Sequence, residues 1–248
     1  MTDDTRPPGN ETLLAHLLEL RARLLKSVLA VALVFLVLVP FANPIYTLLA
    51  QPLLHSLPAG GQLIATEITA PFLVPFKLAL FAALMLAMPI VLYQLWAFVA
   101  PGLYQHERKL ARPLLLVATM LFYLGCAFTH FVLLPAMFAF LAGTAPDGVT
   151  VMPDIGRYLD FVLVMFLAGG VSFEVPVAVA VAVILGWVTP QQLTEWRGYI
   201  IVLIFILAAV LTPPDGLSQV LLAVPMWALY EIGLLWARVL YRRPKAVA

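Results

Sequence analysis

Three glutamates stand out as residues that could do chemistry. Glu174 lies inside the apolar run Gly169-Gly-Val-Ser-Phe-Glu-Val-Pro176. It is 14 residues past Asp160, about 21 Å along a helix, and an ionisable group at that depth of a bilayer costs about 3 kcal/mol or more. Such a residue is a functional candidate that either titrates or meets a polar segment of a partner. The bland reading is a protonated acid bonded to the carbonyl that Pro176 frees. Glu107 is the acid among the bases Arg108, Lys109 and Arg112, in a polar island from Phe98 to Arg112 between two apolar runs. Glu19 stands four residues before Arg23 in Leu17-Leu-Glu-Leu-Arg-Ala-Arg23. An intrahelical ion pair accounts for Glu19, and solvation beside bases accounts for Glu107, unless something further demands them.

Enzyme chemistry finds little support. No H-E-x-x-H, G-x-S-x-G or P-loop spacing occurs, and His16, His55, His106 and His130 are scattered over separate segments. His130, inside a span, reads as a helix-packing hydrogen-bond partner. Cys126 is the only cysteine, which excludes an intrachain disulfide and a thiolate cluster. The residues therefore predict no catalytic centre, no metal site and no cofactor. Lys77 is expected to snorkel outward, with Glu67 as its candidate neighbour.

The elements that must position these glutamates are membrane helices. The 248 residues are 63% hydrophobic and 11% charged, with a mean hydropathy of +1.02, against about 25% charged in soluble domains. A net charge of +1 argues against nucleic-acid binding. The chain reads as one membrane domain spanning near residues 27–43, 72–97, 113–134, 160–186, 198–212 and 216–236. Leu13, Leu14, Leu17, Leu20, Leu24 and Leu25 recur at helical spacing opposite His16, Glu19, Arg23 and Lys26, so residues 10–26 are expected to lie along the interface before the chain turns inward. The acidic N-terminus, without a small-residue cleavage site after the first apolar stretch, reads as retained.

Arg6, Arg21, Arg23, Lys26, Arg108, Lys109, Arg112, Arg197, Arg238, Arg242, Arg243 and Lys245 sort to one side of this topology, and only Lys77 and Arg157 to the other. The positive-inside rule then puts both termini in the cytoplasm. The outer connections, 44–71 and 135–159, are too long for tight turns and are expected to carry short helices. The last two helices are expected to be short. Residues 199–211 supply only about 20 Å against a hydrocarbon core of about 30 Å. Two prolines close this helix, and Asp215 is placed to cap the next. Prolines at Pro40, Pro89, Pro176 and Pro225 predict kinked spans.

Five strings taken together resemble the receptor subunit of the twin-arginine translocase, the TatC family. They are His16-Leu-Leu-Glu-Leu-Arg-Ala-Arg-Leu24, Ala65-Thr-Glu-Ile-Thr-Ala-Pro-Phe72, Tyr93-Gln-Leu-Trp-Ala-Phe-Val-Ala-Pro-Gly-Leu-Tyr-Gln-His-Glu-Arg-Lys109, Val171-Ser-Phe-Glu-Val-Pro176 and Leu211-Thr-Pro-Pro-Asp-Gly-Leu-Ser-Gln219. The resemblance spans residues 12–237. It implies a cupped, all-α, six-helix protein of the bacterial inner membrane that binds paired-arginine signal peptides. With TatA and TatB partners in an oligomer, such a protein exports folded precursors on the proton motive force.

By resemblance the recognition site falls on Glu19 and Glu107, with Arg21 and Phe98 beside them. Glu174 corresponds to an intramembrane glutamate, and Thr212, Asp215 and Gln219 to an outer turn beside the partner-docking face. The chemistry is consistent, since a guanidinium binds a carboxylate through two parallel hydrogen bonds that an ammonium cannot reproduce. The rival reading is a proton-coupled small-solute transporter using Glu174. It needs a second intramembrane charge at that depth, and Asp215 and Glu231 lie near helix ends. A purely structural scaffold would leave Glu174 unexplained.

Overall fold

A computed structural model describes residues 8–48, 63–99, 108–143, 152–212 and 216–241. These residues are overwhelmingly helical and contain six apolar helices. Five are long enough to cross a membrane, and the sixth, Arg197–Leu211, is shorter. The only β-type pairing among them is a parallel bridge between Ile64 and Asp154.

The first helix, α1 (Pro8–Leu38), is one unbroken rod of 31 residues, so the turn expected after Lys26 is absent. No proline or glycine interrupts the leucine-, alanine- and arginine-rich stretch from Asn10 to Leu38, and nothing there breaks the hydrogen-bond ladder. The amphipathic and apolar segments thus share one axis about 46 Å long, some 15 Å more than the hydrocarbon core. If Leu38 lies near one face of that core, the excess carries Glu19 to the surface of the other. Pro40 then enforces a short 3-10 turn, Val39–Phe41, before a helical stretch over residues 42–48.

Helix α2 (Ala70–Val99) packs along α1. The Phe35 and Phe76 rings meet edge to face at 4.9 Å, pairing the end of α1 with the start of α2 and making the two antiparallel. Pro89 removes the N–H that would bond the Met85 carbonyl, and the Tyr123 hydroxyl donates to that carbonyl at 3.0 Å instead. A proline inside a span is thereby satisfied by the neighbouring helix.

Helix α3 (Arg108–Phe128) continues through a π-helical turn (Thr129–Leu133) into α4 (Leu134–Gly143). The span expected to stop at residue 134 therefore runs on to Gly143. Pro135 is accommodated because the wider turn just before it relieves the clash that an α-helical ladder would impose.

Asp154 caps α5 (Ile155–Phe173), which ends at Glu174, and α6 (Val175–Ile184) resumes at once. The expected span 160–186 is thus longer at its start and broken in its middle. The break follows from Pro176, whose missing N–H leaves the Ser172 carbonyl without its helical donor. Helix α3 approaches α5 closely: a Cβ on Gly170 would sit 2.5 Å from Phe122 Cε2, and one on Gly125 2.5 Å from the Gly169 carbonyl oxygen.

Gly186, at φ +73°, closes α6, with Trp187 N–H on the Ala182 carbonyl and Gly186 N–H on Val183. A Thr189–Gln192 capping box starts the short α7 (Pro190–Glu195). Helices α8 (Arg197–Leu211) and α9 (Gly216–Tyr241) complete the bundle. At 15 residues α8 is short, whereas α9 has 26, so only the first of the final pair fits the expectation of two short helices.

Candidate functional site

Two sets of candidate residues lie at opposite levels of the bundle, with Glu174 between them. At the first level, Glu19 accepts hydrogen bonds from Arg23 Nε at 3.0 Å and Nη2 at 2.5 Å, both to Oε1. The i,i+4 spacing puts both side chains on one helix face, and each is partly exposed. Arg21 is exposed and, two residues on, points about 160° away from Glu19 around the helix. Phe98 is half-buried in the last turn of α2. Glu107 lies outside the described residues, and the chain re-enters them at Arg108, the first residue of α3.

Because α1 and α2 are antiparallel and register at Phe35–Phe76, Glu19 is about 24 Å along α1 from that contact and Phe98 about 33 Å along α2. Both therefore stand toward the same end of the bundle. The structure does not join Glu19 to Arg21. It joins Glu19 to Arg23.

Glu174 occupies the joint between α5 and α6, at φ −78° and ψ −13°. Its N–H donates to the Val171 carbonyl at 3.0 Å, and its own carbonyl accepts from Ala178 N–H at 2.9 Å. The side chain is half-buried, and Oε1 is buried with no hydrogen-bond partner among the described residues. For that oxygen, the expected bond to a carbonyl freed by Pro176 is not made. A buried acceptor left open in this way costs about 1–3 kcal/mol.

At the other level, Thr212 is buried and its hydroxyl donates to the Ala208 carbonyl at 2.8 Å. Gln219 Nε2 donates across to the Phe205 carbonyl at 3.0 Å. The Gln219 bond staples α9 to α8, whereas the Thr212 bond closes the last turn of α8 itself. Asp215 lies outside the described residues.

Other polar pairings gave little signal in the sequence. Lys77 pairs with Asp160 of α5, not with Glu67. Asp154 accepts from Thr66 N–H at 3.0 Å and Thr66 Oγ1 at 2.6 Å through one oxygen, and from Gly156 and Arg157 N–H at 2.9 Å each through the other. These donors, the Thr66 hydroxyl foremost, hold its carboxyl well below the usual carboxylate range. A Pro-Asp pair just ahead of an apolar helix is an N-cap signal that would have exposed this role. Glu231 pairs with Arg197 Nη2 at 2.6 Å, Tyr230 donates to the Leu193 carbonyl at 2.6 Å, and Arg238 Nη2 donates to Thr194 Oγ1 at 2.8 Å. The α7–α8 corner is thus tied to the second half of α9. His130 packs edge-on to Phe131 and against Phe166. Among the described residues, no group of three or more His, Cys, Asp or Glu side chains is arranged to hold a metal.

Comparison with known proteins bears on the chain as a whole. The family described as Sec-independent protein translocase protein (TatC) matches residues 15–225. The Sec-independent protein translocase protein TatC of Halothiobacillus neapolitanus is 51% identical over the whole chain, which covers 68% of that protein. The TatC of Escherichia coli K12 is 50% identical over 95% of the chain and 90% of its own length. A crystal structure of the twin-arginine translocase receptor TatC superposes with a TM-score of 0.80 at 36% identity, covering 92% of this chain and all of that one. With the family matched over most of its length and its six-helix architecture reproduced, the chain belongs to the TatC family of multi-pass protein-translocase components.

Proposed function

We propose that this protein is the signal-peptide receptor and assembly core of a twin-arginine export machine in a bacterial inner membrane, with both termini cytoplasmic. Glu19 and Glu107 read the two arginines of the signal peptide, with Arg21 and Phe98 flanking them. The observation that carries the reading is topological. Glu19 stands toward the end of the bundle where α2 finishes at Val99 and α3 begins at Arg108, so the connection bearing Glu107 starts and ends at the same end of the bundle as Glu19. Partial desolvation at the membrane surface would lift such carboxylate–guanidinium pairs above the ~1 kcal/mol of exposed ones.

Glu174, with its open buried oxygen, meets the hydrophobic part of the signal or a polar residue of a partner. The outer turn of Thr212, Asp215 and Gln219 frames a docking face for TatA- and TatB-type single-span partners. Its hairpin is braced by the bond from Gln219 to the Phe205 carbonyl. The short α8 thins the bilayer beside that face, and the proton motive force drives export. Against the transporter reading, Glu231 is already engaged by Arg197, which leaves Glu174 without a relay partner in α9 among the described residues.

Glu107→Ala is expected to block export of a twin-arginine reporter while the protein still accumulates in the membrane. Crosslinks from residues 98–112 to the signal peptide should form with Arg-Arg and disappear with Lys-Lys. Normal export by the variant, or crosslinks indifferent to Lys-Lys, would refute the assignment.

A further inference from the structure

The level of the bundle opposite Glu19 carries a cleft of about 480 Å³ between the segment ahead of α2, the first turns of α2 and the start of α5. Its polar rim holds Glu67, Lys77, Arg157 and Asp160, and its apolar side includes Leu73 and Leu80. We propose that this cleft binds a phospholipid whose zwitterionic headgroup carries a primary amine, of the phosphatidylethanolamine type.

Depth is the first argument. Lys77 lies seven residues into α2, about 10 Å below its start, and Asp160 five residues into α5, about 8 Å below its start. A bilayer's polar layer is about 5–8 Å thick on each side of a ~30 Å core. With the helix starts taken at the outer edge of that layer, the Lys77–Asp160 pair falls at the boundary between headgroups and hydrocarbon, from which a lysine snorkels to the headgroups. The pair is not buried in protein, since the two side chains are 55% and 57% exposed. On the same face of α2, at i−4, i−1 and i+3 from Lys77, Leu73, Phe76 and Leu80 are exposed as well. A charged pair beside an apolar helical stripe has a lipid molecule as its natural solvent: headgroup at the pair, acyl chain along the stripe.

Charge selects the headgroup. Asp154 also lines the cleft, but hydrogen bonds from Thr66, Gly156 and Arg157 already occupy both its oxygens. Two cations, Lys77 and Arg157, and two anions, Glu67 and Asp160, remain. Arg157 and Glu67 are exposed, and their side chains make no hydrogen bond or ion pair among the described residues. The Arg157 guanidinium offers a fork to a phosphate, and the two carboxylates can accept from an ammonium. With the ionised Asp154 counted, two cations face three anions, and that net negative charge opposes a headgroup with net negative charge; a trimethylated amine has no N–H to donate. The site rests on α2 and α5 spanning the membrane, not on signal-peptide recognition.

The test uses the purified full-length chain in detergent. Phosphatidylethanolamine, phosphatidylcholine and phosphatidylglycerol with identical acyl chains are titrated separately, and retained lipid is read by native mass spectrometry. Glycerophosphoethanolamine, which has the headgroup without chains, is titrated alongside by calorimetry. The expected result is about tenfold preferential retention of phosphatidylethanolamine and at least tenfold weaker binding of the chain-free headgroup. Arg157→Gln and Glu67→Gln should each reduce retention to the level of phosphatidylcholine. Because neither side chain has a protein partner among the described residues, the melting temperature in lipid-free detergent should not move. Equal retention of all three lipids, a preference for phosphatidylglycerol, or unchanged retention in both variants would overturn the site. Chain-free headgroup binding as tight as the lipid would do the same.

Discussion

In this structure Oε1 of Glu19 is occupied by Arg23 of its own helix, and an incoming guanidinium that takes both carboxylate oxygens has to displace it. That gives Arg23→Gln an unusual expected sign. The two hydrogen bonds, 3.0 and 2.5 Å, both land on Oε1, so the pair is not the two-oxygen fork that makes arginine–carboxylate contacts strong. Its members are partly open to solvent, at 35% for Glu19 and 23% for Arg23. An i,i+4 pair of this kind contributes about 0.3–1 kcal/mol. Removing Arg23 therefore relieves the incoming arginine of a competitor worth about 2- to 5-fold in affinity. Removing the carboxylate instead, by Glu19→Gln, loses charge-assisted hydrogen bonds worth about 1.5–3 kcal/mol, at least tenfold.

The assay is equilibrium binding of a fluorescent twin-arginine signal peptide to detergent-purified protein at about 0.15 M salt, which confines the effects of exposed charges to about 8 Å. Arg23→Gln should bind 2- to 5-fold tighter than the parent, and Glu19→Gln at least tenfold weaker. The double variant should match Glu19→Gln, because the benefit of losing Arg23 exists only through Glu19. Weakening by Arg23→Gln comparable to that of Glu19→Gln would show that Arg23 belongs to the reader and is not its resident competitor. A gain that persists in the double variant would reduce the effect to bulk charge. Either result refutes the exchange argument.

Two further outcomes follow from packing. Gly170→Leu drives a side chain into Phe122 at the α3–α5 contact and should lower stability by about 1–3 kcal/mol, seen as a lower melting temperature. A Cβ at Gly143 meets nothing within 4 Å among the described residues, so Gly143→Leu should leave melting nearly unchanged, and equal losses from both would contradict the close approach of the two helices. Glu174→Leu removes the open buried oxygen and should raise the melting temperature, by the equivalent of about 1–3 kcal/mol, while export of a twin-arginine reporter fails. A destabilised Glu174→Leu protein would mean that the carboxyl holds the α5–α6 joint together.

The helices were legible because apolar run length is a direct demand of the bilayer, and the charge-rich segments marked their ends. What could not be read was how far each helix persists past its apolar run. Leu-rich residues 10–26 have the same amphipathic pattern whether they lie on an interface or continue a span; the choice falls to the intact hydrogen-bond ladder through Leu38. Pro135 reads as a stop in a linear scan, and it ceases to be one only because residues 129–133 widen into a π turn. Within the site, Glu19 and Glu174 were conspicuous by type and setting. The partner of Glu19 was legible too, since Arg23 stands four residues on while Arg21, nearer along the chain, stands two. The 100° step per residue puts Arg23 on the face of Glu19 and Arg21 off it. The open oxygen of Glu174 was not legible.

The same geometry explains why the long-range pairs Lys77–Asp160 and Arg197–Glu231 left no trace in local spacing, since each joins residues more than 30 apart on different helices. These pairs divide in a way that bears on function. Arg197–Glu231, Tyr230–Leu193 and Arg238–Thr194 lock the α7–α8 corner to α9 with every bond internal. Glu174 Oε1, by contrast, is left open where Pro176 forbids a regular helix, at the seam between α5 and α6. Among the described residues Arg197 Nε and the Tyr46 hydroxyl are also buried without a partner, but Glu174 supplies the one carboxyl oxygen in that state. Binding that supplies a donor to Glu174 Oε1 would stabilise the protein by about the 1–3 kcal/mol the open oxygen costs, and would thereby be coupled to the α5–α6 joint.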